Sequence, residues 1–397
     1  MIRTLDDLDA EGTAVGVRVD INSPLSESGD GLADDARLRA HVGTLSELTE
    51  RGARVALLAH QGRPAGDAFS SLAAHAERLD DLLSAPVEYV DATFCSDARR
   101  RVEALEAGSV LVLENTRFYS EENMSFDPAD AAETHLVVNL SSVFDAFVND
   151  AFAAAHRSQP SIVGFAEQLP SFAGRVMERE LEALGNIGER ASPRVYVLGG
   201  AKVDDSIEIA ETVLESGLAD TVLTAGVVGN TFLHASGVSL GSESDSVVES
   251  RARDRLGLAE SLLERYPDRI RMPNDIAIER GDERIEVAVE ELPVDEPALD
   301  VGQRTIDAYA DVFETAGTAI LNGPAGVFEE ERFAVGTRGL FQAATAAGFS
   351  IVGGGDTAAA IRRLGLSGFD HVSTGGGAAL AMLTGEPLPA VSALDSA

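Results

Sequence analysis

Short apolar runs punctuate this chain, and longer stretches with helical spacing separate them. The runs predict strands at Val15–Asp20, Arg54–Ala59, Val87–Val90, Val110–Leu113, Leu136–Leu140 and Ala146–Asn149. Further on they predict strands at Val195–Leu198, Thr221–Thr224, Ala319–Leu321, Ser350–Val352 and His371–Ser373. Several are near-continuous Val, Leu and Ile, the pattern of strands covered on both faces. Strands alternating with helical patterns argue for an α/β fold with parallel sheets. Val176, Met177, Leu181, Leu184 and Ile187 share one helical face between Pro170 and Ser192-Pro193. This places a joining helix in residues 171–192, between a first domain at 1–170 and a second at 193–386. The stretch Ser239–Ser250 is rich in Ser, Glu and Asp and reads as a solvated loop. Residues 387–397 are too few for a domain and are expected to pack back onto the first one.

The segments that follow the strands differ between the halves. In the first half they are polar: Asp20-Ile21-Asn22, His60 to Pro64, Glu114 to Arg117, and Asn149-Asp150 leading to His156-Arg157. In the second half they are glycine-rich: Gly199-Gly200-Ala201-Lys202, Asn322 to Gly326, Gly353 to Thr357, and Gly375 to Gly377. Open α/β sheets bind ligands beyond the carboxyl ends of their strands. The first half is therefore suited to a small anion, and the second to close backbone approach by a nucleotide.

Lys202 is the single lysine in 397 residues, beside 30 arginines. Two glycines and a lysine at the end of a strand suggest a phosphate cradle with a mobile ammonium; the plain alternative is a surface lysine in a tight turn. Asp356 and Thr357 open a strong helix start, where an anion or a Mg²⁺-bearing ligand would be favoured, though either residue could simply cap the helix. Ser373 to Gly377 repeats the device. Asn322, Pro324 and Glu329 lie in a rigid glycine/proline loop that reads as turn chemistry or as a nucleotide wall, with Glu329 available to a ribose hydroxyl. Arg63, Arg117 and Arg157 each follow a strand end, and Arg37 opens a helical pattern. A lone arginine is usually a solvated charge, but several at strand ends match phosphate and carboxylate. His60 and His156 fit either a structural role or this site. No nucleophile triad or zinc spacing is present. Phosphoryl transfer between ionised groups needs no base, only alignment and charge neutralisation.

The formal net charge is −35 and is spread along the whole length, which argues against nucleic-acid or anionic-membrane partners. Arginine in place of lysine on an acidic surface suggests adaptation to high salt, where the Debye length falls to roughly 3 Å; an ordinary acidic cytosolic protein is the alternative. One cysteine, Cys95, fits a reducing cytoplasm, and no signal peptide or membrane span is read.

These residues resemble the phosphoglycerate kinase family. The pieces are Val17 to Asn22, His60 to Pro64, Glu114 to Tyr119, Val148 to Phe152, Gly199 to Val203, Asn322 to Pro324, Gly353 to Thr357 and Ser373 to Gly377, in family order. The resemblance implies two Rossmann-like α/β domains with parallel sheets, joined by a helix, with a cleft between them. It implies a monomeric enzyme that transfers a phosphoryl group between 1,3-bisphosphoglycerate and ADP, with Mg²⁺ and hinge closure. By the same resemblance Asp20, Asn22, Arg37, His60, Arg63, Arg117 and Arg157 hold phosphoglycerate. Gly200, Ala201, Lys202, Asn322, Pro324, Glu329, Gly355, Asp356 and Thr357 hold the nucleotide, with Asp356 at the metal. Arg37, Lys202, Gly354 and Gly376 act on the phosphoryl in flight.

Three departures stand out. Ser206 occupies the family's second lysine position, Ala225 to Asn230 carries more side chains than the usual glycine run, and Leu321 replaces a common tryptophan. Glycine-rich turns also serve nicotinamide-linked dehydrogenases, but no Gly-x-Gly-x-x-Gly follows the first strand. A non-catalytic nucleotide binder that kept the fold is the other reading, supported by Ser206.

Overall fold

The computed structural model describes residues 2–26, 31–185 and 187–397. Packing divides the chain into two units. The first holds residues 1–182 with Glu386–Ala397, and the second holds Ala183–Gly385.

The first unit is built on a six-stranded parallel sheet. Its strands are β1 (Ala14–Arg18), β2 (Arg54–Leu58), β3 (Val87–Tyr89), β4 (Val110–Val112), β5 (Ala146–Asn149) and β6 (Ser171–Ala173), in the order β3-β4-β2-β1-β5-β6. Alternate residues serve opposite faces. Val15, Val17, Val55, Leu57, Val110 and Val112 enter one buried cluster, while Ala56, Leu58, Leu111 and Phe147 enter the other. This double burial is why the strands read as unbroken apolar runs. Neighbours diverge from β1 and β5, so the switch point lies between them. The C-terminal helix Pro389–Ser396 packs in this unit, where the Ala390 N–H donates to the Ala155 carbonyl at 3.1 Å.

The second unit has its own six-stranded parallel sheet. Its strands are β7 (Arg194–Leu198), β8 (Thr221–Thr224), β9 (Ile270–Arg271), β13 (Thr318–Asn322), β14 (Ser350–Gly353) and β15 (His371–Val372), in the order β15-β14-β13-β7-β8-β9. A small antiparallel sheet of β10 (Asp275–Arg280), β11 (Glu283–Ala288) and β12 (Asp300–Val301) is inserted between β9 and β13. Val195, Val197, Leu223, Ala319, Leu321 and Val352 centre this unit's core. The switch point falls between β7 and β13.

Two local expectations are corrected. Leu136–Leu140 lies in a helix, His135–Ser141, not a strand. Leu136, Val137 and Leu140 are buried while Val138 is 49 % exposed, a spacing that suits one helical face and no two-residue alternation. The supposed loop at Ser239–Ser250 contains the helix Ser242–Ala252. Ser244, Val248 and Ala252, four residues apart, form a narrow buried stripe that small and polar residues disguise in the sequence. The short strands β6 and β9 and the inserted sheet were not anticipated.

Candidate functional site

In the first unit the loops after β1, β2, β4 and β5 gather a cluster of cations. Asp20 follows β1 and pairs with Arg37 at the start of the helix Ala36–Glu50. Asn22 Oδ1 accepts the Gly62 N–H at 2.9 Å. Asn115 ties the β2 and β4 loops together, taking the Gln61 and Arg117 N–H groups at 3.2 and 3.1 Å and donating to the Gln61 carbonyl at 2.8 Å. Arg117 in turn donates to the Gly62 carbonyl at 2.7 Å. A flexible polar rim is thereby made rigid, as charge recognition requires.

The electrostatics carry the imprint of like charges held together. Burial, then the neighbouring Arg157 and Arg18 cations, push the Arg117 guanidinium down to about 10. Arg157 is lowered by burial, partly offset by Asp20. His60 is driven well below the ordinary imidazole range by burial, then by Arg18, Arg117, Arg157 and Arg37. Such a cluster is stabilised by an anion. Arg63 is exposed at the rim.

In the second unit the carboxyl ends of β7, β13 and β14 converge. The Gly199 N–H donates to the Asn322 carbonyl at 2.8 Å, and the Gly200 N–H to the Pro324 carbonyl at 2.7 Å. The contact admits no side chain. A Cβ on Gly323, whose φ is +93°, would lie 2.2 Å from the Gly199 oxygen. Thr357 Oγ1 accepts the Gly323 N–H at 2.8 Å, so the β14 loop braces the β13 loop. Lys202 stands before the helix Val203–Glu215, and its Nζ lies 2.9 Å from Asp356 Oδ2.

Two cavities open here. One of about 390 Å³ is lined by Gly200, Gly226, Asn230, Pro324, Glu329 and Asp356, among others. The other, of about 180 Å³, is lined by Lys202, Ser206, Asn322, Gly354, Thr357 and Gly376, among others. The structure thus gathers the second-half candidates along two cavities, and the first-half candidates around one cationic cluster. Ser206 is buried on the first turn of its helix.

Asp356 fits a hard cation carried in with phosphate. Such an ion takes one or two carboxylates and completes its shell from phosphate oxygens and water. Among the described residues no group of three or more His, Cys, Asp or Glu forms a cage.

Sequence reasoning missed residues that hold this machinery. Arg18, read as part of a strand, is buried and hydrogen-bonded to His60. His41 Nδ1 meets Asp150 Oδ2 at 2.7 Å, while its Nε2 meets the Asp20 backbone. Asp150 Oδ1 accepts the Val176 and Met177 N–H groups at the start of the helix Arg175–Leu184. Asn230 and Asp300 line the larger cavity. A buried arginine at a strand end is a signal that could have been read; His41 and Asp300 carry none in sequence.

A cation cluster beyond one doubly wound sheet and a glycine cradle with an exposed lysine beyond another suit a phosphotransferase. A sequence model of the family described as phosphoglycerate kinase matches residues 5–386. The chain is 65 % identical over 396 residues to a phosphoglycerate kinase of Natronomonas pharaonis, covering 99 % of this chain and 100 % of that one. It is 59 % identical over 396 residues to that of Halobacterium salinarum, covering 99 % of each. The crystal structure of phosphoglycerate kinase from Pyrococcus horikoshii OT3 superposes with a TM-score of 0.91 at 40 % identity, covering 100 % of this chain and 99 % of that one. The enzyme from Coxiella burnetii gives 0.84 at 33 % identity, covering 100 % and 98 %. The chain belongs to the phosphoglycerate kinase family. Its relatives from halophilic archaea fit the acidic, lysine-poor composition. Among the described residues no helix is long and apolar enough to cross a membrane.

Proposed function

We propose that the chain catalyses reversible phosphoryl transfer between 1,3-bisphosphoglycerate and ADP, giving 3-phosphoglycerate and ATP. One observation carries the assignment of roles. The single lysine stands at the glycine cradle, 2.9 Å from Asp356, the one acidic residue in the first turn of the helix Gly355–Leu364. Phosphoglycerate would bind through Asp20, Asn22, Arg37, His60, Arg63, Arg117 and Arg157. The nucleotide would lie against Gly200, Ala201, Asn322, Pro324, Glu329, Gly355 and Thr357. Asp356 would hold Mg²⁺ with the nucleotide, and the ion would neutralise phosphate charge there.

Transfer would proceed without a general base, since both the donor and the acceptor oxygens are already ionised. Lys202, Arg37 and the N–H groups at Gly354 and Gly376 would stabilise charge on the phosphoryl in flight. Hinge closure would align the partners and exclude water. The protein would act as a cytoplasmic monomer.

The test is 3-phosphoglycerate-dependent ADP formation from ATP and Mg²⁺ in molar KCl and in dilute buffer. Robust turnover confined to high salt supports both the activity and the salt adaptation. Folded protein without turnover at either salt overturns the reading in favour of a nucleotide binder.

A further inference from the structure

Behind the cation cluster, a buried chain of polar groups leads from one of its members, His60, to residues that the proposed reaction does not itself use. Arg18, the last residue of β1, is 2 % exposed, and His60 after β2 is 4 % exposed. One Arg18 Nη lies 2.9 Å from His60 Nδ1. The other Nη donates to the Val19 carbonyl, and Nε donates to Ser161 Oγ at 2.8 Å. The Ser161 hydroxyl donates a hydrogen bond to Glu122 Oε1, and its N–H donates to Glu122 Oε2 at 3.1 Å. Glu122 is 1 % exposed.

The direction of every bond in this chain is fixed by chemistry. A guanidinium has N–H donors and no acceptor. His60 Nδ1 must therefore present its lone pair, and the ring's one proton sits on Nε2. A second proton on Nδ1 would point an N–H at an N–H inside the protein. His60 Nε2 has no hydrogen-bond partner among the described residues. The main charges acting on His60 oppose a positive ring: Arg18 on β1, Arg37 on the following helix, Arg117 after β4 and Arg157 after β5, with the Asp20 carboxylate set among these arginines and paired with Arg37. Glu122 serves as the buried counter-charge that allows Arg18 to stay ionised there. Burial raises its carboxyl, and the Arg18 cation and the Ser161 donors oppose that rise.

We propose that Arg18, anchored through Ser161 to Glu122, is a positioning residue that fixes His60 as the neutral Nε2–H tautomer. The imidazole then meets the substrate as a directed hydrogen-bond donor and not as a further cation. The brace rests on the assignment of this cluster to phosphoglycerate only for its kinetic consequence; the tautomer itself does not.

The test uses the whole protein in molar KCl, with ¹⁵N-labelled histidine. Long-range ¹H–¹⁵N spectra should give His60 as a single Nε2–H tautomer that does not titrate between about pH 8 and 5.5, whereas an unperturbed ring would titrate near 6.5. Arg18→Met should release a mixed, titrating ring and raise the KM for 3-phosphoglycerate by about tenfold with little change in kcat. The ratio of its KM to the wild-type KM should vary with pH, which a purely packing role would not produce. Arg18→Lys should restore the tautomer, since an ammonium also donates to Nδ1. If Arg18→Met does not fold, Glu122→Gln is read the same way, with partial release expected. A wild-type His60 carrying its proton on Nδ1, or titrating near 6.5, overturns the proposal. So does an unchanged tautomer in folded Arg18→Met. A fixed tautomer whose signals ignore added 3-phosphoglycerate would sustain the brace and overturn the substrate assignment instead.

Discussion

Lys202→Ala separates a catalytic role from a structural one, because the structure gives this side chain almost nothing to stabilise. Its ion pair with Asp356 joins side chains 69 % and 63 % exposed. Exposed pairs contribute at most about 1 kcal/mol, and at molar salt, with a Debye length of roughly 3 Å, this one contributes less. A cation before the N-terminus of Val203–Glu215 also opposes the helix dipole, so its removal costs the helix nothing. The thermal midpoint should therefore move by no more than about 2 °C. Turnover is a different matter. A single preorganised charge on a transferring phosphoryl contributes about 3–4 kcal/mol, which predicts a fall in kcat of roughly 10²–10³. Lys202→Arg should recover only part of it, because a planar fork on a shorter methylene stem cannot follow the phosphoryl as a point charge does. The assay is coupled ADP formation in molar KCl, with calorimetry on the same samples. Turnover within a few-fold of wild type would refute the assignment. A large drop in midpoint matching the activity loss would refute the claim that the side chain is structurally idle.

Gly323→Ala should force the β7 and β13 loops apart. It should destabilise the second unit by about 2–4 kcal/mol in urea titrations and raise the KM for nucleotide, whereas Gly217→Ala, with φ +71° but nothing within 4 Å, should cost about 1 kcal/mol. Asp300 is buried, and burial raises its carboxyl to about 7 against the opposing Gly336 N–H and the Arg284 cation at 3.5 Å. Its folded form holds the proton more tightly than the unfolded form, so stability is full below about pH 4 and is lost as pH rises through about 7. Asp300→Asn should flatten this slope of a few kcal/mol, on the order of 4. His75 has the opposite sign: burial lowers it to about 4, so stability present above about 6.5 is lost as pH falls toward 4, and His75→Gln should remove that loss from acid denaturation curves. Transfer from molar KCl to dilute buffer should lower the midpoint, because a net charge of −35 is then unscreened; an unchanged midpoint would count against salt adaptation.

The central parallel strands were legible because both their faces are buried, which leaves an unmistakable apolar run. The same rule misled at Leu136–Leu140, where a short apolar run with one polar interruption fits a helix or a strand, and only the exposure of Val138 decides. The hairpin of β10 and β11 did carry a signal that went unread. Its turn is Gly281-Asp282, both at positive φ near +60°, a pairing that favours a two-residue hairpin. The candidate residues were visible because they cluster after strand ends, and because a lone lysine is conspicuous. Their supports were not. Arg18 ends β1 but falls within the longer run read as a strand, while Ser161 and Glu122 lie far from it in sequence and gain meaning only when the fold joins them.

The cation usage of the chain follows from two different demands. On an acidic surface each cation must engage several carboxylates or carbonyls at once, and a fork does this where a point charge cannot. Arg175 holds Glu47 with two donors at 2.8 and 2.7 Å and reaches Glu178 with a third at 2.7 Å. Arg280 grips both oxygens of Glu296, at 2.6 and 2.9 Å. Arg190 donates to the Ala183 carbonyl at 2.7 Å while stacking over Phe349 at 3.9 Å. These contacts depend on directed hydrogen bonds at close range, which molar salt screens least. A moving phosphoryl makes the reverse demand. It needs a charge that can travel with it and release it, and a fork fixed by several bonds would hold it in the ground state. On the proposed assignment of Lys202, the one position that keeps lysine is the one where mobility would matter more than grip.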